Sequence, residues 1–359
     1  MRRFFSQLFI LLKIVFSIFF IGGITYYIID KIQKKNNLMD IEEYTPISTL
    51  TIKETPIKKA KYPFIDVHNH QFDMPIKDLN KLVVEMDSLN MGFMINLSGF
   101  RGLYLRKSLE NIKKNAPTRF GLFLNIDFES IDDINFEEKQ VALIDSASAA
   151  GVMGLKVYKT LGLTSRDLNG NRIAVNDLRL DPIWKACGDN NIPVLIHSAE
   201  PESFWEPKDK FNERWLELRQ KPSRYRDPTI NPSFEEVLAE QHDIFKKHPN
   251  TTFINAHLGW MGNDLDRLET HLDTYPNVMT EIGAVLAELG RQPKRAKRFF
   301  IDYQDRILFG KDSYKVSEYH TYFRVLETDD EYFDYYRKRH AHWKMYGLAL
   351  PDSVLQKLY

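Results

Sequence analysis

His68-Asn69-His70 follows the apolar run Pro63-Phe-Ile-Asp-Val67. On a strand, side chains at i and i+2 share a face. Two neutral imidazoles aimed at one point are suited to holding a divalent metal. A lone His-x-His is weak evidence, but three later positions strengthen it. His197 ends Pro193-Val-Leu-Ile-His197, His257 ends Thr252-Phe-Ile-Asn-Ala-His257, and Asp312 ends Ile307-Leu-Phe-Gly-Lys-Asp312. Any one of these reads equally well as a polar residue capping a loop. Histidine is scarce, however, at 10 in 359 residues. Its concentration on these run ends argues for ligation over capping. Histidines in polar surroundings, such as His242, His248 and His320, read as ordinary packing or surface residues.

The runs that carry these residues belong to a regular pattern. Strand-like apolar stretches occur at 63–67, 92–98, 119–127, 151–158, 193–197, 251–256, 278–282 and 307–311. Between them lie segments with apolar residues at i, i+3 and i+4, such as the one that begins at Asp78 and the one that begins at Glu235. Strands alternating with helices imply βαβ units and a parallel sheet. Eight units predict an α/β fold, a closed (β/α)8 TIM barrel, whose active site lies at the carboxyl ends of the strands. An open doubly wound sheet is the alternative. It would call for a glycine-rich phosphate loop after the first strand, where His-Asn-His-Gln-Phe stands instead.

The segments Phe64-Ile-Asp-Val-His-Asn-His70, Pro193-Val-Leu-Ile-His-Ser198, Phe253-Ile-Asn-Ala-His-Leu-Gly259 and Ile307-Leu-Phe-Gly-Lys-Asp-Ser313 occur in this order. In this the chain resembles the amidohydrolase superfamily. The likeness is closest to its amidohydrolase-related branch, which holds aminocarboxymuconate semialdehyde decarboxylase-like enzymes, resorcylate-type decarboxylases and lactonases. It covers roughly residues 60 to 350. It implies one divalent metal on His68, His70, His197 and Asp312, expected to be Zn2+, with Mn2+, Fe2+ and Co2+ as alternatives. It also implies a metal-activated water with His257 as acid and base, and Asp312 taking part in catalysis. Such a water has its pKa lowered to about 7, and histidine titrates in that range. Binuclear relatives carry a carboxylated lysine on the fourth strand. Lys156 stands there, so a two-metal site with His257 as a ligand is the alternative. In the mononuclear reading Lys156 is a substrate-binding cation or a structural ion-pair partner.

Other residues are candidates for the surroundings of the site. Asp66 shares strand parity with His68 and His70, and either orients a ligand or makes a structural hydrogen bond. The long connection 198–233 contains Glu200 and reads as a lid or wall beside His197. Residues 161–177 contain Asn169-Gly170, a hairpin turn pair. Arg101, Arg166 and Arg291 fall on carboxyl-side loops, where each is either a carboxylate clamp or a solvated charge. Relatives continue beyond the segment that matches Asp352–Tyr359, which reads as a final helix here.

Composition bounds the rest. Lys+Arg and Asp+Glu both number 49, so no basic surface for nucleic acid is implied. The single cysteine, Cys187, sits in an apolar helical pattern and reads as a buried structural thiol. Within residues 1–35 an apolar run from Leu8 to Ile29, with one charge at Lys13, lies between Arg2-Arg3 and Lys31, Lys34 and Lys35, long enough for one membrane span. No small-x-small cleavage site follows. The expectation is an uncleaved signal anchor over 1–35, a linker over 36–62 and the metal-dependent barrel over 63–359, facing the extracytoplasmic side. A cleaved signal peptide with secretion is the alternative.

The function expected is hydrolysis of a small lactone, ester or amide. Non-oxidative decarboxylation of a small carboxylic acid is the alternative, disfavoured by Glu200 near an anionic substrate. A non-catalytic, membrane-tethered binding module comes third, and the retained ligand set argues against it.

Overall fold

The computed structural model describes residues 2–36, 39–40, 43–337 and 339–359. The chain falls into two units, Met1–Thr51 and Ile52–Tyr359. The first contains a helix over Arg2–Asn36, of which Leu11–Lys35 is long and apolar enough to cross a membrane.

The second unit is a TIM barrel. Its strands are β1 (Phe64–Asn69), β2 (Met91–Asn96), β3 (Phe120–Leu124), β4 (Gly154–Val157), β5 (Val194–Ile196), β6 (Phe253–Asn255), β7 (Val278–Glu281) and β8 (Ile307–Leu308). Each pairs in parallel with the next. Beyond the last pairing, Val67 N–H donates to Phe309 O at 3.0 Å and Asp312 N–H donates to His68 O at 2.7 Å. These two bonds join the first strand to the end of the eighth and bring Asp312 beside His68.

Helices follow the strands, and their starts are set locally. Asp78 caps Leu79–Leu89 by accepting from Lys81 N, and Ser233 caps Phe234–Lys247 by accepting from Glu236 N. Strands covered on both faces read as continuous apolar runs. Leu195 and Ile254 pack inside the barrel with Ile95, Leu97 and Phe123. Their neighbours Val194, Ile196 and Phe253 pack outward against the helices. Apart from β1, which runs on to Asn69, the strands are shorter than the apolar runs that announce them. The segment Ile52–Tyr62 packs on the barrel ahead of β1: Thr55 N–H and Oγ1–H both donate to the Asp330 carboxylate at 2.7 Å, and Ala60 is buried. The 169–170 turn has Gly170 at φ 81°, with Arg166 and Arg172 bridged antiparallel across it.

Candidate metal centre

Backbone strain is gathered at the barrel mouth. Ala199 after β5, Ala284 after β7 and Asp312 after β8 all have left-handed φ, at 61°, 58° and 79°. After β6 the run His257, Leu258, Gly259 and Trp260 is left-handed throughout, at 56–59°. Such conformations cost energy in ordinary residues and gather where a side chain must be aimed. Gly259 is required there, since a Cβ on it would stand 2.4 Å from Asn255 Nδ2.

These turns bring donors from four strand ends together. One nitrogen each of His68 and His257 and one Asp312 oxygen lie within 4.8 Å of one another. His68 Nε2 is 3.4 Å and His70 Nε2 3.7 Å from Asp312 Oδ1. His197 Nδ1 is 3.2 Å from His257 Nε2. The far sides of the rings are held. His257 Nδ1–H donates to Gly283 O at 2.7 Å, since a carbonyl can only accept, and this leaves the Nε2 lone pair facing the centre. His68 Nδ1–H donates to Glu281 Oε1 at 2.8 Å. His70 Nδ1 is 2.8 Å from Ser98 Oγ. Nitrogen ligands of metals are usually oriented in this way.

The electrostatics suit a cation. Burial, followed by the charge of Lys156, holds His68 well below its ordinary value, and the same two causes bring His70 down to about 4. Burial and His257 hold His197 well below. The imidazoles are therefore neutral near pH 7, the state in which they ligate. Burial opposes ionisation of Asp312, but His68, His257 and His70 outweigh it and hold the carboxyl at about 2. His68 Nε2 and His197 Nε2 are buried with no hydrogen-bond partner among the described residues. An orphaned buried nitrogen calls for an explanation. For His68 Nε2, facing a carboxylate, a divalent ion supplies one, so the residues present fit a metal.

The remaining candidates fall in varied places. Lys156 lies opposite Leu195 on the inner face of β4, is 1% exposed, and its Nζ has no hydrogen-bond partner among the described residues. Burial brings it down to about 7. Asp66 and His68 are both buried on β1. The β1–β2 register breaks between Asp66 and Asn69, and the Asp66 carboxylate turns to Tyr319 Oη–H (2.6 Å), Asn69 Nδ2 (2.8 Å) and the backbone N–H of His68 and Lys311. It ties β1 to the β8 turn. Glu200 is buried, pairs with Lys159 and, at 3.2 Å, with Arg226, and stands 4.0 Å from His197 Nε2. Arg101 is exposed and pairs with Asp127, and Arg166 donates to Leu163 O and Ser165 O. Neither lines the cavity beside His197, His257 and Asp312. Arg291 pairs with Glu213 and Glu288 in an adjoining chamber of about 650 Å³. Cys187 is buried, and burial pushes its thiol up.

Three residues at the centre are additional to these. Glu281 at the end of β7 is fully buried and accepts from His68 Nδ1–H and from His257 N–H at 2.7 Å. Sequence reasoning missed Glu281, although it too ends one of the strand-like runs, 278–282. Lys311 is buried and donates to Ser313 O and to Glu318, both at 2.6 Å. Arg337 lines the cavity from the irregular stretch before the final helix, Asp352–Leu358, where no periodicity marks it.

The sequence profile of one family, described as amidohydrolase, matches residues 126–359, about two thirds of the chain. The chain belongs to the amidohydrolase family. The superfamily consists of metal-dependent enzymes acting on small molecules, and the donor set above is of the type they use. No curated protein matches the chain. Among solved structures, this amidohydrolase is similar to an uncharacterized TIM-barrel protein from Bordetella bronchiseptica, at 15% identity over 78% of this chain and 79% of that one, with TM-score 0.50. It is also similar to a dihydroxybenzoic acid decarboxylase from Polaromonas sp. JS666, solved with manganese and the inhibitor 2-nitroresorcinol. There the identity is 13% over 84% of this chain and 94% of that one, with TM-score 0.50. At these identities the likeness speaks for the fold.

Proposed function

We propose that the protein is a metal-dependent hydrolase of a small lactone, ester or amide. One divalent ion, Zn2+ in this reading, is held by His68, His70, His197 and Asp312. The observation that carries the reading is the approach of His68 Nε2 and His70 Nε2 to Asp312 Oδ1, at 3.4 and 3.7 Å, with His68 Nε2 buried and without a hydrogen-bond partner among the described residues. When bound, such an ion supplies Lewis acidity and lowers the pKa of its water to about 7. Glu281 fixes the ring of His68, and Gly283 O fixes the tautomer of His257. His257 takes a proton at Nε2 during attack on the carbonyl and returns it to the leaving oxygen or nitrogen. The connection 198–233 limits water by walling a cavity of about 80 Å³ with Glu200, Pro201, Phe204, Arg214, Glu217 and Arg224.

Non-oxidative decarboxylation on the same residues is the second reading, and one observation favours it. The Glu200 charge is met by Lys159 and Arg226, so its repulsion of an anionic substrate is small. Lys156 serves in either reaction as a cation behind the centre. The domain reading pairs with this: residues 1–35 anchor the chain by one span, 36–62 connect it, and the barrel from 63 works on the extracytoplasmic side. Turnover in ¹⁸O-water separates the two reactions. Label entering the product carboxylate is the expected result. Release of CO2 with no solvent oxygen in the organic product establishes the decarboxylase.

A further inference from the structure

The histidines of the centre differ in what meets their far nitrogen. His68 Nδ1 meets the Glu281 carboxylate, and His257 Nδ1 meets Gly283 O. Neither partner donates, so each of these rings keeps its proton on Nδ1. His70 Nδ1 meets the hydroxyl of buried Ser98 at 2.8 Å, and a hydroxyl both donates and accepts. The Ser98 oxygen also contacts Tyr158 Oη at 3.1 Å, on the residue that follows β4. Tyr158 Oη lies 3.3 Å from Leu97 O, to which it can donate.

This chain runs in two directions without orphaning a buried group. In the first, His70 Nδ1–H donates to Ser98, Ser98 to Tyr158, and Tyr158 to Leu97 O. The Nε2 lone pair is then free to ligate. In the second, Tyr158 donates to Ser98, and Ser98 to His70 Nδ1. The ring proton then sits on Nε2, 3.7 Å from Asp312 Oδ1. Leu97 O stays satisfied, because Asn125 Nδ2 donates to it at 3.0 Å in either direction. The hydroxyls only rotate, and the neutral ring exchanges its one proton between nitrogens through water. Packing holds the ring separately: it stacks with Phe72 and Tyr158, at 5.6 and 5.8 Å between centroids. His70 also lines an open cleft of about 540 Å³ with Asp312, whereas His68 is fully buried.

We propose that Ser98 and Tyr158 are positioning residues that make His70 the adjustable ligand of this centre, with its proton on Nε2 when no metal is bound and on Nδ1 when one is. The inference rests on the metal-centre reading and deepens it. His68 is preset to ligate, and His70 completes the set from the open side.

The test is ¹H–¹⁵N correlation NMR of the histidine rings in the full chain, stripped and loaded with Zn2+, beside Zn2+ affinity from chelator competition. In stripped wild-type protein His70 is expected to show the Nε2–H tautomer, and His68 and His257 the Nδ1–H tautomer. On loading, His70 should show Nδ1–H alone. In Tyr158→Phe the ring stack remains, but the Ser98 proton has only His70 Nδ1 left to accept it. The Nε2–H form is then favoured, and Zn2+ affinity should fall by about 10–100-fold. Ser98→Ala lifts that bias and should weaken Zn2+ less, although Ser98 is the residue in contact with the ring. The double variant should match Ser98→Ala instead of summing two losses. A His70 that shows only Nδ1–H in stripped wild-type protein overturns the proposal, even if a variant fails to fold. So does wild-type affinity in folded Tyr158→Phe, or summed losses in the double variant. Protein that takes up Zn2+ with the His70 tautomer unchanged refutes only the switch. Protein that takes up no Zn2+, while Tyr158→Phe enriches the Nε2–H form, refutes only the metal centre.

Discussion

At the scale of single residues, the centre is defined by what stands behind each ring. His257 and His197 face each other across 3.2 Å, so either could ligate, and their second contacts separate them. His257 is locked by Gly283 O with its Nε2 lone pair toward the centre. His257→Asn is expected to keep the metal and lower kcat by about 10²–10⁴, the usual contribution of a general acid or base. His197→Asn is expected to lose the metal. Metal analysis of the two variants checks this, and loss of metal from His257→Asn makes His257 a ligand. The donors were legible in the sequence because each ends an apolar run. Glu281 ends one too, but a carboxylate at a strand end is too common to stand out without the histidines it contacts. Arg337 was not legible, because it reaches the cavity from a stretch without periodicity.

At the scale of elements, strands fix direction and the turns after them fix aim. The alternation of strand and helix was readable from apolar periodicity. The bonds from Asp66 across to Tyr319 and Lys311 N were not, since they join residues about 250 positions apart. The turn after β8 is equally constrained. A Cβ at Gly310 would lie 2.3 Å from Glu281 Oε2 and 2.9 Å from His68 Cβ. Gly310→Ala should therefore push Glu281 off the two histidines. The expected result is a loss of about 1–3 kcal/mol in stability, as for overpacking generally. Metal affinity should fall by about 10–100-fold, as when an outer partner is lost. Denaturant melts and metal titration read the two effects. A variant matching wild type in both would show that the turn is loose.

At the scale of the whole molecule, two properties can be checked apart from catalysis. The compact unit Ile52–Tyr359 includes the Thr55–Asp330 contact. Removal of residues 1–51 is expected to leave a folded barrel in the soluble fraction, while the full chain resists carbonate extraction from membranes. Full-length protein that is extracted, or a mature form beginning near residue 30, contradicts anchoring. Acid stability is the second property. His271 is 5% exposed, lies tilted against His242 with ring centroids 4.6 Å apart, and has no hydrogen-bond partner for either ring nitrogen among the described residues. Burial brings it from 6.5 to about 3. The unfolded chain then binds a proton that the folded one refuses. The stability from neutral His271 is complete above about pH 6.5 and is lost as pH falls toward 3, by at most about 1.4 kcal/mol per pH unit. His271→Phe should flatten this slope, melting close to wild type at pH 7 and above it at pH 4.5. Parallel melting curves for the two proteins across that range would refute the argument.

The proposed chemistry turns on whether one ion sits among His68, His70, His197 and Asp312. Elemental analysis of purified protein, alongside activity before and after chelation, tests this most directly. The account predicts about one divalent metal per chain, activity lost on stripping and regained on reloading, and near-zero metal in His68→Asn. Full activity in metal-free protein would contradict it, and two metals per chain with a carboxylated Lys156 would replace it with a binuclear centre.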